Sequence, residues 1–134
     1  MSCSLLIAGS RSLFPTLGEI DLAVAEMRVD WHWGYVEEVV SGCAPGVDRA
    51  GEAWARARGY KLRQCPARWD ELGKIAGKVR NGEMAAIATA AIVFWDGVSN
   101  GAADMVTRMV AREKAVHVVE MQPARVRPQM ELLP

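Results

Sequence analysis

Five short segments along this chain have the residue pattern of strands, and most are followed by a segment with apolar residues at helical spacing. They cover residues 5–8, 36–40, 60–65, 90–95 and 115–119. The segments 5–8 and 90–95 are continuous apolar runs, which are typical of buried strands, whereas 60–65 has apolar residues interleaved with polar ones. Because strands that alternate with helices form parallel sheets covered on both faces, the pattern predicts an α/β three-layer sandwich with a five-stranded, mostly parallel sheet.

We expect the strand order 3-2-1-4-5 in this sheet. That order places the turns after the first and fourth strands side by side, where the strand order reverses, and ligands of such sheets bind there. The domain should span residues 1–120. Residues 121–134, with prolines at 123, 128 and 134, should form an irregular tail.

The helical segments have local signals of their own. A capping box at Thr16–Glu19 starts a helix that should end near Asp30, and Gly59 should end the helix after the second strand. Residues 67–78 form a long polar connection that we interpret as a lid or binding loop before a helix over 79–88. The apolar helix faces should carry Ala50, Ala53, Trp54 and Ala57 in the second helix, and Ala102, Met105, Val106, Met109 and Val110 in the last.

The stretch 94–101, Phe-Trp-Asp-Gly-Val-Ser-Asn-Gly, is the strongest candidate for a binding site. A buried strand that breaks at glycines and restarts as a helix leaves unpaired backbone N–H groups at the turn, which favour a phosphate or carboxylate. Gly97 and Gly101 allow a ligand to approach the backbone closely, and Ser99 and Asn100 add side-chain donors. An ordinary strand–helix turn is the alternative.

Charged residues in two further segments point to the same edge of the sheet. Asp48 either accepts hydrogen bonds from sugar hydroxyls in the cleft or only stabilises the start of its helix through the helix dipole. Arg80 falls at a predicted helix start, where a cation is unfavourable unless an anion lies nearby. Lys74 and Lys78 either belong to the site or are simply solvated.

Composition excludes several classes of protein. The 134 residues carry 16 basic and 16 acidic side chains, so the chain is neutral and nucleic acid is an unlikely partner. Three cysteines without a C-x-x-C spacing argue for a reducing, cytoplasmic location, and two isolated histidines predict no metal site. No apolar run approaches the ~20 residues of a membrane span.

An ordered series of motifs along residues 4–120 resembles the YspA, cpYpsA-related SLOG family. That family lies in the Rossmann-like superfamily that includes DNA-processing protein A and the Lonely Guy phosphoribohydrolases. The resemblance implies a Rossmann-like fold that binds a nucleotide-derived small molecule. We expect no cofactor. The motifs are Gly9-Ser10-Arg11, the segment 41–48, Trp69-Asp70, Gly73-Lys74, Ala76-Gly77, Arg80-Asn81 with Met84, and the segment 94–97.

In this interpretation, phosphate is held by cations and by the glycine turn, ribose by Asp48, and a base by Trp69 or Trp95. Arg80 matches the arginine of the Lonely Guy Met-His-x-Arg-Lys motif. Gly97 and Gly101 fall within its Pro-Gly-Gly-x-Gly-Thr-x-x-Glu loop. The full set of predicted ligand-binding residues is Gly9, Ser10, Arg11, Gly42, Gly46, Asp48, Trp69, Lys74, Arg80, Asn81, Trp95, Asp96, Gly97, Ser99, Asn100 and Gly101.

Two departures separate this chain from the Lonely Guy loop. Ala102 replaces its threonine, and Met105 replaces its catalytic glutamate, while the neighbouring Asp104 should point about 100° away around the helix. A binding module is therefore the leading interpretation. The alternative is a nucleotide-processing hydrolase of the N-glycosidase type, and single-stranded DNA binding ranks below both. The candidate catalytic residues of such a hydrolase are Arg80, Asp48, Glu83 and Asp96.

The tryptophan content also predicts self-association. Five tryptophans, including the Trp31/Trp33 pair, are many for a small neutral monomer. We expect a homodimer, although for the segment 31–35 itself we favour a loop that packs over the edge of the sheet rather than a partner contact.

Overall fold

The computed structural model describes residues 2–30 and 34–123. The Trp31/Trp33 pair and residues 124–134 of the predicted tail therefore lie outside the described residues. The strands are β1 (Ser2–Gly9), β2 (Tyr35–Ser41), β3 (Lys61–Gln64), β4 (Ala90–Trp95) and β5 (Ala115–Glu120). The helices are α1 (Leu17–Asp30), α2 (Val47–Arg58), α3 (Trp69–Leu72), α4 (Ala76–Ile87) and α5 (Asn100–Ala111), with a 3₁₀ turn over Gly73–Ile75.

The sheet has the predicted order, β3-β2-β1-β4-β5, and each neighbouring pair of strands is parallel. The register places Gly9, at the end of β1, beside Phe94 near the end of β4. The turns after these two strands therefore meet at one edge of the sheet, and the fold is a Rossmann-like α/β sandwich.

Alternating residues of the central strands build two separate hydrophobic layers. Leu5, Ile7 and Phe94 belong to the layer on the side of α1 and α2, together with Ile20 and Trp54. Leu6, Ala8 and Val93 belong to the layer that contains Met84 of α4 and Met105 of α5. Because consecutive strand residues point to opposite faces, the continuous apolar runs of β1 and β4 serve both layers.

The predicted ends of α1 and α2 are confirmed. The Thr16 N–H donates to Glu19 at 3.0 Å while Glu19 N–H donates to the Thr16 hydroxyl at 3.1 Å, which completes the reciprocal capping box. Gly59 ends α2 with φ of 77°, in the left-handed region.

Two predicted helix faces are partly wrong. In α2, Ala53 and Ala57 are exposed, whereas Gly51 and Ala55 are buried beside Trp54. In α5, Val110 is exposed because the buried stripe follows Ala102, Met105 and Met109. Alanine is apolar enough for a core and small enough for a surface, so its position in the sequence does not decide which face is buried.

The connection over 67–78 is not the irregular loop that we expected. Most of it is helical, and α4 begins at Ala76, three residues before the predicted start. Ala76 is buried, and the Trp69 ring lies over Gly77, only 3.3 Å from where a Cβ atom would stand. This packing offsets the low helix propensity of glycine. Arg80 consequently lies inside α4 and not at a helix start. Its predicted position at an unfavourable helix start, which suggested an anion nearby, is therefore wrong.

Within the described ranges, no helix is both long and apolar enough to cross a membrane.

Candidate functional site

A cleft of about 440 Å³ lies over the carboxyl ends of β1 and β4. It sits where the strand order reverses, which is the usual ligand site of parallel α/β sheets. Ten of the predicted ligand-binding residues line it. The lining residues are Ala8, Gly9, Arg11, Ser12, Ala44, Asp48, Trp69, Lys74, Gly77, Lys78, Arg80, Asn81, Met84, Ser99, Asn100, Gly101, Ala102, Asp104 and Met105.

The turns after β1 and β4 are joined by hydrogen bonds beneath this cleft. The Ser10 N–H donates to the Phe94 carbonyl at 3.0 Å, and the Ser10 hydroxyl accepts from the Asp96 N–H at 3.1 Å. Ser10 is buried and does not line the cleft. Its role in the structure is to hold the two turns together, so that Gly9 and Arg11 lie opposite the start of α5.

Asp96 organises the turn between β4 and α5. One of its carboxylate oxygens accepts the N–H groups of Val98 and Ser99, at 3.0 and 2.8 Å. These bonds lower the pKa of Asp96. Gly97 adopts φ of 90°, and the Trp95 indole donates to the Ser99 carbonyl at 3.1 Å. The structure places Trp95, Asp96 and Gly97 behind the cleft as supports.

Asp48 is a buried carboxylate that lines the cleft. It is 4% exposed, and its Oδ2 accepts the Ala44 N–H at 3.1 Å. Burial raises the pKa of Asp48 to about 6, although the Ala44 hydrogen bond and the Arg80 charge act in the opposite direction. This carboxyl group can therefore exchange a proton near neutral pH.

The glycines of the turn after β2 bring the backbone close to neighbouring groups. Gly46 has φ of 83° and lies against the Arg11 carbonyl, where a Cβ atom would not fit. Gly42 lies against the side chains of Asp48 and Arg80. Neither glycine lines the main cleft, but both determine how Asp48 and Arg11 approach it.

Arg80 connects α4 to the turn after β2. Its Nη1 donates to the Gly42 carbonyl at 2.8 Å. Its Nε is buried and has no hydrogen-bond partner among the described residues. A guanidinium held by one carbonyl retains donors for an anion.

Cations dominate the cleft although the whole chain is neutral. Arg11, Lys74, Lys78 and Arg80 line it, against the two carboxylates of Asp48 and Asp104. The sequence does not decide whether Lys78 belongs to the site or is only solvated, and the structure places it at the cleft. Lys74 lies in the 3₁₀ turn and Lys78 in the first turn of α4 that follows it, and both line the cleft.

Asp104 also lines the cleft, beside Met105, contrary to our expectation that it points away. Its carboxylate accepts from Asn81 and from Arg108, both at 2.9 Å. Met105 is 1% exposed and belongs to the core beneath the cleft. Most residues in the first turns of α5 line the cleft. The neighbouring residues Asp104 and Met105 therefore both reach it, although they lie on different faces of the helix.

Glu83, one of the four catalytic candidates, faces away from this site. It is exposed and pairs with Arg68 at 3.0 Å. Of the carboxylate candidates, only Asp48 lines the cleft, because Asp96 binds its own turn.

Across residues 2–30 and 34–123, no three His, Cys, Asp or Glu side chains cluster as a metal site would require. No protein-family model matches this chain, and no curated protein or solved structure matches it. Fold and site therefore define the class on their own: a Rossmann-like α/β protein with a cationic cleft at the carboxyl edge of its sheet.

Proposed function

We propose that this protein binds a nucleotide or nucleotide-derived ligand in the main cleft, as a member of the SLOG family that its sequence resembles. The observation that carries the proposal is the excess of cations in a cleft of a neutral chain, at the reversal point of a parallel sheet. Such a position favours nucleotides, and such a charge favours their phosphates.

The phosphate would lie at the first turn of α5. The first N–H groups of a helix lack intrahelical partners, and the cap residue Ser99 contributes no side-chain bond to them. Asn100 and Gly101 line the cleft at this turn. Apart from its chain neighbours and the backbone of α5 itself, nothing in the described structure lies within 4 Å of the place where a Gly101 Cβ atom would stand, so a phosphate could approach the backbone there.

The sugar and the base would extend from there toward Asp48 and Trp69. The carboxylate of Asp48 is an acceptor for ribose hydroxyls. The indole of Trp69 is about half exposed and offers a stacking surface for a base. A volume of about 440 Å³ falls within the range of small-ligand pockets.

Isothermal titration calorimetry tests the proposal. The probes are the 5′-monophosphates of adenosine, guanosine, cytidine and uridine, with the uncharged nucleosides for comparison. We expect Arg80→Ala to weaken binding of a monophosphate by about 1.5–3 kcal/mol, the scale of a charge-assisted hydrogen bond. Arg80→Lys should restore only part of the loss, because the forked guanidinium is absent.

Arg112→Ala is the matched control, since this arginine caps the opposite end of α5 and does not line the cleft. Equal affinities of wild type, Arg80→Ala and Arg112→Ala would contradict the assignment of Arg80. Failure of the monophosphates and of the corresponding diphosphates alike to bind would overturn the proposed function.

A second candidate function is hydrolysis of an N-glycosidic bond with Asp48 as the acid–base group. The favouring observation is a buried carboxyl in the cleft whose pKa is raised to about 6. In this reaction water adds across the bond and releases a free base and a ribose phosphate. Chromatography of nucleotides incubated with wild type and Asp48→Asn tests it. Turnover that Asp48→Asn abolishes supports hydrolysis, whereas intact nucleotides leave binding as the function.

The proposal includes a cytoplasmic homodimer. Phe14, before α1, and Leu22, in α1, are 71% and 61% exposed, and they would be available for a contact with a partner. Light scattering should give twice the chain mass of 14.6 kDa, and a monomer mass at micromolar concentration would contradict it.

A further inference from the structure

A second, smaller pocket of about 270 Å³ adjoins the main cleft beside the turn after β2. Arg11, Arg49 and Arg80 line it, together with Cys43 and Trp69. Arg11, Arg80 and Trp69 also line the main cleft, so they separate the two spaces and contact both. None of the described residues that line the small pocket carries a carboxylate.

Three guanidinium groups line this pocket, whereas the carboxylates that interact with them lie outside its lining: Asp48 acts on Arg11 and Arg80, and Glu52 pairs with Arg49. Arg49 has a partner outside the pocket, Glu52 at 3.2 Å, and its own side chain is 60% exposed. The Nε of Arg80 is buried without a partner in the described part of the chain. Leaving a buried charged donor unsatisfied is costly, so the arrangement favours an anionic occupant.

We infer that this pocket binds a second anionic group of the ligand whose first phosphate occupies the main cleft. The inference rests on the proposed function and narrows it to nucleotides with a phosphate beyond the first, such as nucleoside diphosphates. Arg80 and Arg11 contact both spaces, which suits two phosphates joined by one bridging oxygen.

Substitution of Arg49 distinguishes the two sites experimentally, because this residue lines the small pocket and not the main cleft. Its matched control is Arg56. Both arginines lie on α2, both pair with the same oxygen of Glu52, and their side chains are 60% and 65% exposed. Only Arg49 reaches the small pocket.

Calorimetry with the mono- and diphosphates of adenosine, guanosine, cytidine and uridine tests the inference. Arg49→Ala should weaken binding of the preferred diphosphate at least about tenfold, as loss of a charge-assisted contact does. Its affinity for the matching monophosphate should not change. Arg56→Ala should alter neither affinity, and Lys74→Ala, which removes a cation of the main cleft, should weaken both.

Alkylation of Cys43 by iodoacetamide provides a readout that does not depend on a nucleoside. Burial raises the pKa of the Cys43 thiol, so the reaction is followed at mildly alkaline pH by peptide mass spectrometry. Inorganic pyrophosphate should slow the modification of Cys43 severalfold in wild type and in Arg56→Ala, but not in Arg49→Ala.

The outcomes separate the two proposals. If Arg49→Ala leaves the preference for diphosphate over monophosphate unchanged and pyrophosphate gives no protection, the second site is refuted while nucleotide binding stands. If each nucleotide fails to bind but pyrophosphate protects Cys43 through Arg49, the anion site stands and the proposed function is refuted.

Discussion

Two glycine-containing turns lie at the carboxyl edge of the sheet, and each has an aspartate in it or directly after it, in the first turn of the next helix; the two carboxylates have opposite roles. Asp48, after β2, is buried against the cleft, and its pKa is raised to about 6. Asp96, after β4, accepts two N–H groups of its own turn, and its pKa is lowered. One aspartate stabilises the backbone and the other serves the cleft. The difference lies in their surroundings, since the residue type is the same.

The glycines of the two turns differ in the same manner. Gly46 has φ of 83° and is enclosed by the backbone of Ser10 and Arg11. Gly97 has φ of 90°, yet nothing in the described structure lies within 4 Å of its missing Cβ. The turn after β2 is therefore tightly packed on its neighbour, whereas the turn after β4 is open toward solvent.

Alanine substitution at these glycines should produce the largest effects. Gly46→Ala combines a left-handed backbone with a collision against two carbonyl groups, and we expect a loss of about 3 kcal/mol or more in the free energy of unfolding. Gly97→Ala carries only the backbone penalty, about 1–2 kcal/mol. Urea denaturation of both variants measures the difference. Equal losses would show that the two turns do not differ in packing.

The pH dependence of stability should distinguish the two aspartates. Between the ordinary aspartate pKa of 3.8 and about 6, folded Asp48 holds a proton that the unfolded chain releases. The free energy of unfolding should therefore fall as the pH rises through this interval, by on the order of 2–3 kcal/mol in total from Asp48. Asp48→Asn should remove that slope, which denaturation midpoints at several pH values will reveal.

Asp96 should behave in the opposite sense. Because its folded pKa is lowered, its contribution is present above the ordinary aspartate pKa and is lost as the pH falls below that value. Asp96→Asn should remove this acid-side loss and leave the interval from 4 to 6 unchanged. A wild type whose stability is flat between those pH values would contradict the assignment of Asp48.

Gly101 should show the smallest effect on stability and a clear one on binding. It lies in the first turn of α5 with open space at its Cβ position, so Gly101→Ala should change stability by no more than about 0.5–1 kcal/mol, in the favourable direction. Gly101→Val should prevent nucleotide binding while the protein stays folded, since the side chain fills the space for the phosphate. Unchanged calorimetric affinity in the valine variant would remove Gly101 from the site.

The local sequence pattern alone was sufficient to predict much of the fold of this protein. The strand-like segments predicted the five strands of the described part of the chain, and their alternation with helices led to the order 3-2-1-4-5. The capping box of α1 and the glycine at the end of α2 are short-range signals, and both were found. These features depend on residues within a few positions of one another, or on the general handedness of parallel connections, so the sequence carries them directly.

Contacts between segments that are far apart in the sequence determined the features that the local pattern did not predict. The early start of α4 at Ala76, which places Lys78 in a helix at the cleft, is accompanied by packing of Trp69 on Gly77, against the local glycine signal. The orientation of Glu83 toward Arg68, and the pocket shared by Arg11, Arg49 and Arg80, likewise follow from the assembled fold. Burial and hydrogen-bond partners separate Asp48 from Asp96, and both are set by which segments meet at the edge of the sheet.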